Sequence, residues 1–215
     1  MKQQEYHYAA IGDSLTAGFG VLPEQGFAAK LHELAERELG CKVHFYNAGV
    51  TGATAGETLE LVQQDQALRE KLELADLITV TCGGNNLIQA AKRFYLDGET
   101  GHLKAALIEY STHMRQLVRE VKRLKAVSSK PYLIRLIGLY NPLPEFDDAV
   151  FWVQRFNKHL NRLAKEPVQA VDVYSAFLTR EEELLSDDQF HPNADGYRLL
   201  ADETHRLGYD PLLEE

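Results

Sequence analysis

The chain alternates short apolar runs with longer stretches of helical periodicity, and this alternation constrains its fold more than any other feature. The five runs cover residues 6–11, 43–46, 77–82, 132–137 and 168–173. Most of them are apolar without a regular polar alternation, as in strands that are covered on both faces. Strands that alternate with helices predict an α/β domain with a mostly parallel sheet and helices on both sides.

Between the runs, apolar side chains recur every three or four residues, which predicts amphipathic helices packed on the sheet. Gly40 suits the end of the first helix, and Thr54 with Glu57 has the spacing of a capping box. The last helix is predicted from about residue 193 to 207, with Gly208 as its stop. These stripes predict core: Phe27, Leu31, Leu34 and Leu39; Leu107, Tyr110, Met114, Leu117, Val121 and Leu124; Trp152, Phe156, Leu160 and Leu163.

Five such strands suit the flavodoxin-like order 2-1-3-4-5. We therefore predict a three-layer α/β/α sandwich that forms a single domain over residues 1–215. Residues 98–101 and 128–131 are predicted as loops inside this domain, because they combine glycine, serine and proline without apolar periodicity. In such a sheet, ligands bind outside the carboxyl ends of the strands.

Composition narrows the function. The formal net charge of −9 argues against a nucleic-acid partner, and no apolar run reaches membrane-spanning length. Cys41 and Cys82 are too few for a disulfide framework and are expected to be buried thiols, and no metal-ligand spacing is present. Residues 1–5 lack the apolar region of a signal peptide. We therefore expect a cytoplasmic protein without membrane insertion or a bound metal.

The residues that follow the predicted strands carry the chemistry. They are Gly12-Asp13-Ser14, Asn47-Ala48-Gly49, Gly83-Gly84-Asn85-Asn86 and, after the last strand, Asp188-Gln189-Phe190-His191. The predicted fold brings a serine, a glycine, an asparagine and a histidine to one edge of the sheet. Those are the groups that an acyl-transfer site needs.

Serine is a poor nucleophile at neutral pH and needs a base to remove its proton. His191 suits that task, because imidazole titrates near pH 6.5, and Asp188 three residues earlier can fix its tautomer. The backbone N–H groups of Ser14 and Gly49 and the side-chain amide of Asn85 are candidates for an oxyanion hole. Taken alone, Gly49 would be a turn glycine and Asn85 a helix cap.

The four segments resemble the sequence blocks of the GDSL, or SGNH, hydrolases, and they occur in the family's order across nearly the whole chain. The length is similar to that of small single-domain bacterial members. The resemblance implies a flavodoxin-like fold and ester hydrolysis without a cofactor. It also implies Ser14 as nucleophile, His191 as base, Asp188 as its orienter, and Gly49 with Asn85 in the oxyanion hole. One departure is Asn86, where many members have an aspartate.

We expect a small-molecule ester substrate with a short or medium acyl chain. Residues 139–146 and 94–96 are rich in apolar and aromatic side chains and are expected to wall a modest groove. No long lid insertion is evident, so interfacial activation on lipid droplets is not expected. The alternatives are a carbohydrate O-acetylesterase, or a non-catalytic module that binds phosphate with Ser14, Thr16 and Gly18. The sequence gives no indication of the oligomeric state.

Overall fold

A computed structural model describes residues 4–213, so part of the N-terminal segment considered for a signal peptide lies outside the described residues. Five parallel strands form one sheet in the order β2-β1-β3-β4-β5, which confirms the predicted topology. The strands are β1 (Tyr6–Gly12), β2 (Val43–Gly49), β3 (Leu77–Thr81), β4 (Leu133–Ile137) and β5 (Val168–Val171).

Helices cover both faces of the sheet. They are α1 (Ser14–Ala17), α2 (Phe27–Leu39), α3 (Ala55–Gln64), α4 (Gln66–Leu74), α5 (Gly84–Asp97), α6 (Gly101–Lys125), α7 (Asp147–Asn161), α8 (Val173–Phe177), α9 (Glu181–Leu184), α10 (Ala194–His205) and α11 (Asp210–Leu213). Helices α3 to α7 bury their apolar faces on one side of the sheet, and α2 and α8 to α11 do so on the other. No helix within residues 4–213 combines the length and apolarity needed to cross a bilayer.

The predicted helix signals hold with small shifts. Gly40 ends α2 in the left-handed conformation, and the capping box of Thr54 with Glu57 opens α3. The predicted loop at residues 98–101 is shorter than expected, because α6 already begins at Gly101. Cys82 is buried as predicted, whereas Cys41 is only partly buried, and both thiols are free.

Strand β2 is longer than predicted and includes Asn47 and Gly49, which had suggested a turn after the strand. Gly12 pairs with Gly49 on one side and with Thr81 on the other, so the three strands β2, β1 and β3 end at the same level. Gly12 has a φ of 133°, and a side chain there would collide with the Thr81 backbone. This alignment places the following loops side by side.

Candidate active site

Ser14 is the first residue of the one-turn helix α1, directly after β1. Asp13 caps that helix by accepting a hydrogen bond from the Leu15 N–H at 3.0 Å. The Thr81 hydroxyl at the end of β3 donates to the same carboxylate at 2.8 Å. The turn that presents Ser14 is therefore fixed by contacts to the neighbouring strand, and it positions the serine at the carboxyl edge of the sheet.

His191 lies in the loop before α10, and its imidazole bridges Ser14 and Asp188. Its Nε2 atom is 3.0 Å from Ser14 Oγ, and its Nδ1 atom is 2.6 Å from Asp188 Oδ2. The other oxygen of Asp188 accepts the backbone N–H groups of Phe190 and His191 at 2.9 and 2.8 Å. The carboxylate thus shapes the loop and orients the ring at once.

The two carboxyl groups next to this chain of hydrogen bonds differ in acidity. Burial raises the pKa of Asp188, but hydrogen bonds from His191, Phe190 and Ser186 outweigh it and hold that pKa well below its usual range. Burial raises the pKa of Asp13 to about 6, against the opposing hydrogen bonds from Thr81 and Leu15. Asp188 therefore stays ionised at neutral pH, whereas Asp13 titrates just below it.

Three hydrogen-bond donors lie at the edge beside Ser14. The Ser14 N–H belongs to the first turn of α1, where no carbonyl of the same helix can accept it. The side-chain amide of Asn85 gives one N–H to the Ala53 carbonyl at 3.0 Å, which leaves its second N–H available. The Gly49 N–H donates to its own neighbour, Asn47 Oδ1, at 2.9 Å. Sequence reasoning did not foresee this last contact.

Gly49 is required here for a steric reason as well. A Cβ atom at this position would lie within 2.7–2.8 Å of the Thr16 and Ala17 backbone. The Asn47 side chain spans the same gap, since its amide donates to the Thr16 carbonyl at 2.8 Å. Asn47 and Gly49 together hold α1 tightly against the end of β2.

Asn86, the departure from the family pattern, is buried away from Ser14. Its Oδ1 atom accepts the Ala55 N–H at 3.0 Å, at the first residue of α3. The side chain thus ties the start of α5 to the start of α3. This contact uses an oxygen acceptor and needs no negative charge.

An apolar cavity of about 390 Å³ opens beside Ser14 and His191. Its walls come from α5, α7 and the loop after β4, with side chains that include Leu87, Ile88, Phe94, Tyr95, Leu139, Pro142, Leu143, Trp152 and Val153. Residues 139–143 and the pair Phe94 and Tyr95 lie in the wall as expected, whereas Leu96 and Phe146 do not line the cavity. Trp152, predicted as core, is buried and lines the cavity as well.

Aromatic side chains support the histidine loop, a role that was not predicted for them. The ring of Phe19 packs on the His191 imidazole with 4.6 Å between centroids. The Tyr140 hydroxyl donates to the Phe190 carbonyl at 2.6 Å, and the Tyr197 hydroxyl donates to the Phe19 carbonyl at 2.9 Å. These contacts link the loop after α1, the helix α10 and the loop after β4 around the imidazole.

The geometry disfavours a phosphate site in the first loop. Thr16 is 1% exposed, and its hydroxyl contacts the Ile11 carbonyl at 3.0 Å and the Thr81 hydroxyl at 2.8 Å. A group engaged inside the protein in this way cannot face a ligand. Among residues 4–213, no cluster of three or more His, Cys, Asp or Glu side chains has the arrangement of a metal site.

A serine, a histidine and an aspartate linked by hydrogen bonds, beside donors and an apolar cavity, define the class of the serine hydrolases. Comparison with known proteins gives the family. The GDSL-like lipase/acylhydrolase family model matches residues 10–199. The chain belongs to this family, and it is a carboxylic ester hydrolase.

Relatives of known structure or name agree with that assignment. The spore germination lipase LipC of Bacillus licheniformis is 32% identical over 211 residues, which cover 95% of this chain and 97% of the relative. The crystal structure of the lipase Lip_vut3 from a goat rumen metagenome is 30% identical with a TM-score of 0.91, covering 95% of this chain and 98% of that one. An acetylxylan esterase from Geobacillus stearothermophilus, 21% identical with a TM-score of 0.73 and coverages of 96% and 95%, shares the fold.

Proposed function

We propose that the protein cleaves carboxylic esters through an acyl-enzyme on Ser14, with His191 as base and Asp188 as its orienter. The observation that carries this proposal is the position of one imidazole, 3.0 Å from Ser14 Oγ and 2.6 Å from Asp188 Oδ2. With its proton on Nδ1 facing the carboxylate, the ring leaves Nε2 free to accept the serine proton.

The reaction runs in two halves. Ser14 Oγ attacks the ester carbonyl while His191 Nε2 takes its proton, and the resulting imidazolium then protonates the departing alcohol. In the second half, a water molecule loses a proton to Nε2 and attacks the acyl group, and that proton returns to Ser14 Oγ as the carboxylic acid leaves and then ionises in solution. The ionised Asp188 stabilises the imidazolium in both halves, in keeping with its lowered pKa.

Negative charge on the carbonyl oxygen is assigned to the Ser14 N–H, the Gly49 N–H and the free N–H of Asn85. Each such donor is worth about 10²–10³ in rate. The Gly49 N–H donates to Asn47 Oδ1 at 2.9 Å, so a substrate oxygen shares that donor or displaces the Asn47 side-chain oxygen. Besides Asn85, Asn47 is thereby a second side chain that affects the strength of the oxyanion hole.

The acyl group is assigned to the apolar cavity between α5 and α7. Its volume of about 390 Å³ lies at the small end of the range for small-molecule sites, which is about 300–1,000 Å³. That size fits short or medium acyl chains, and the apolar walls favour them over the polar ring of a sugar. An acetylated carbohydrate is therefore the less favoured substrate.

The cytoplasmic location stays a prediction.

A fluorophosphonate probe tests the nucleophile, because it labels an activated serine irrespective of the natural substrate. We expect the probe to label the wild-type protein, and to fail with Ser14→Ala and with His191→Ala. Both variants should lose about 10³-fold or more in kcat, since the residues act as a unit. Labelling of Ser14→Ala at the wild-type rate would contradict the assignment.

A panel of p-nitrophenyl acetate, butyrate, octanoate and palmitate, run beside acetylated xylo-oligosaccharides, tests the acyl site. We expect the highest kcat/KM for butyrate or octanoate and a steep fall at palmitate. A preference for palmitate would show that the cavity does not limit chain length. A preference for the acetylated sugars would favour the O-acetylesterase assignment instead.

A further inference from the structure

Charge is distributed unevenly along this chain. Residues 101–165, which include α6 and α7, contain twelve Lys and Arg against five Asp and Glu, a net charge of +7. The rest of the chain contains eleven Lys and Arg against 27 Asp and Glu, a net charge of −16. Helices α6 and α7 pack on the same side of the sheet, so most of these cations lie in one layer, although Arg135 and Lys125 are buried.

The cations converge on one face of α7. Arg155, Lys158 and Arg162 are exposed and spaced so that they lie on one side of the helix, together with Phe151 and His159. These five side chains line a shallow groove of about 270 Å³. We call this surface the basic groove. It runs for about 17 Å along the helix, since each residue rises about 1.5 Å.

Helix α6 adds to the positive charge of the basic groove. Its Ser111 hydroxyl lies 3.0 Å from His159 Nδ1, and Arg115 follows one turn later. Burial lowers the pKa of His159, and the charges of Arg162, Arg115, Arg155 and Lys158 lower it further. The imidazole therefore lies in a strongly positive potential.

The arginines at the basic groove lack the ion pairs that four other arginines on the surface form. Arg123, Arg180, Arg198 and Arg206 each form an ion pair with a carboxylate three residues away. In the described part of the chain, Arg115, Arg155 and Arg162 form no ion pair, and the Arg155 guanidinium lies 4.6 Å from the centre of the Phe151 ring instead. Together with Lys158, these three arginines make four unneutralised cations that are available to an external anion.

We propose that the basic groove is a docking surface for an anionic lipid bilayer. An interfacial site combines cations that meet headgroup phosphates with aromatic side chains that enter the acyl boundary. Phe151 is 47% exposed at one end of the groove, and Tyr95 and Phe146, near the cavity, are 70% and 45% exposed. A soluble acidic polymer would meet the same cations but gives no role to these aromatic rings.

The groove also adjoins the cavity of the proposed acyl site. Asp148, Ala149 and Trp152 of α7 line that cavity, and Phe151 lies in the same turn of the helix. Adsorption through the groove therefore brings the cavity close to the lipid surface without a lid. This docking concerns adsorption alone and stands whether or not the proposed acyl preference is right.

The net charge of −9 does not prevent such docking. Much of the negative charge belongs to the other helical layer, where α9 alone has three glutamates. The outer surfaces of the two layers are separated by two helix diameters and the sheet between them, roughly 30 Å in total. The Debye length at physiological ionic strength is about 8 Å, so the bilayer interacts mainly with the near face.

Flotation with vesicles tests the proposal, using the Ser14→Ala protein so that no lipid is consumed. We expect binding to vesicles of phosphatidylcholine and phosphatidylglycerol in equal parts, and no binding to phosphatidylcholine alone. Each Lys or Arg near an anionic surface contributes about fivefold to partitioning, so adding Arg155→Gln, Lys158→Gln and Arg162→Gln together should lower it about 100-fold. Phe151→Ala should lower it separately.

The matched control is Arg180→Gln, Arg198→Gln and Arg206→Gln, which removes the same charge from the opposite layer and should leave partitioning unchanged. When the two triple variants carry the wild-type Ser14, both should hydrolyse a soluble p-nitrophenyl ester at the wild-type rate, which also shows that they fold. Equal partitioning of the two triple variants would overturn the proposal. So would binding to soluble polyphosphate with no binding to the mixed vesicles.

Discussion

The two carboxylate oxygens of Asp188 have different partners, one in the backbone of the loop and one on the His191 ring. Oδ1 accepts the Phe190 and His191 N–H groups, while Oδ2 faces His191 Nδ1 at 2.6 Å. Replacement by asparagine can keep the loop contacts at Oδ1 but places an NH₂ group against Nδ1. The ring then turns to the tautomer that carries its proton on Nε2, where it cannot accept the serine proton.

We therefore predict that Asp188→Asn lowers kcat about 10²–10⁴-fold with little change in KM. Steady-state kinetics on a soluble ester, with urea unfolding as the control for folding, measure both quantities. Retention of kcat within threefold would indicate that Ser14 and His191 work as a pair without the carboxylate.

The ionised form of Asp13 lowers the stability of the fold, because its carboxyl group is buried beside Ser14. Its pKa is raised to about 6 in the folded protein, against about 3.9 in an unfolded chain. The folded state therefore holds the proton more tightly, and stability falls as pH rises from about 4 to about 6. The unfavourable contribution persists at higher pH and is about 2–3 kcal/mol.

We predict that Asp13→Asn removes this pH dependence while its amide oxygen still accepts the Leu15 N–H. The free energy of unfolding of the variant minus that of the wild type should be about 2–3 kcal/mol larger at pH 8 than at pH 4. Urea titrations of both proteins at the two pH values measure this difference. An equal difference at both values would show that Asp13 is not protonated in the folded state near pH 4.

The sequence placed the candidate residues near the carboxyl ends of strands, and hydrogen bonds through His191 do join Ser14 and Asp188. It could not predict the contacts that tune them. One such contact is the hydrogen bond from the Gly49 N–H to the side-chain oxygen of Asn47, and another is the packing of the Phe19 ring on His191. Both depend on the directions in which side chains point. Local periodicity contains no information on such pairs.

At the level of elements, Asn86 connects two helices. Its Oδ1 accepts the Ala55 N–H, so a side chain of α5 supplements the Thr54–Glu57 capping box at the start of α3. Because a helix N-terminus favours negative charge, an aspartate at this position would keep the bond and gain from the helix dipole. An aspartate at this position of the chain would thus change the charge and keep the contact.

We predict that Asn86→Asp keeps stability and kcat close to those of the wild type. Asn86→Ala should lower the free energy of unfolding by about 1–2 kcal/mol, because the buried Ala55 N–H loses its partner. Chemical denaturation of the three proteins at pH 7 compares them directly. Equal stability of the alanine variant would mean that water or another group satisfies the Ala55 N–H.

Elements were predictable where one signal acted alone. Gly40 and the Thr54–Glu57 box ended and opened helices as expected. The end of β2 was missed, because Asn47 and Gly49 are turn formers that here pair in register with β1. Trp152 was assigned to the core by its helical spacing, and it does pack there, but spacing cannot show that a buried ring also lines a cavity.

For the whole molecule, topology brings the site together and also divides the charge. The chain order that brings β1, β2 and β3 to one edge places α6 and α7 in the same helical layer. The net charge of −9 averages over this division, and the sequence-based argument against a nucleic-acid partner relied on that average. Spatial segregation of charge makes the average a poor guide to local binding.

The charge division has a consequence that can be measured without lipid. At pH 7 and low ionic strength, we expect a sulfonate cation exchanger to retain the protein despite its sequence pI of about 5.4, since the resin meets the basic groove. Arg155→Gln, Lys158→Gln and Arg162→Gln together should abolish retention, whereas the matched triple substitution at Arg180, Arg198 and Arg206 should not. Salt should elute the protein, because screening beyond about 10 Å at 0.1 M removes the attraction. Flow-through of the wild type would show that the four cations do not act as one patch, and docking through this face would then lack its electrostatic basis.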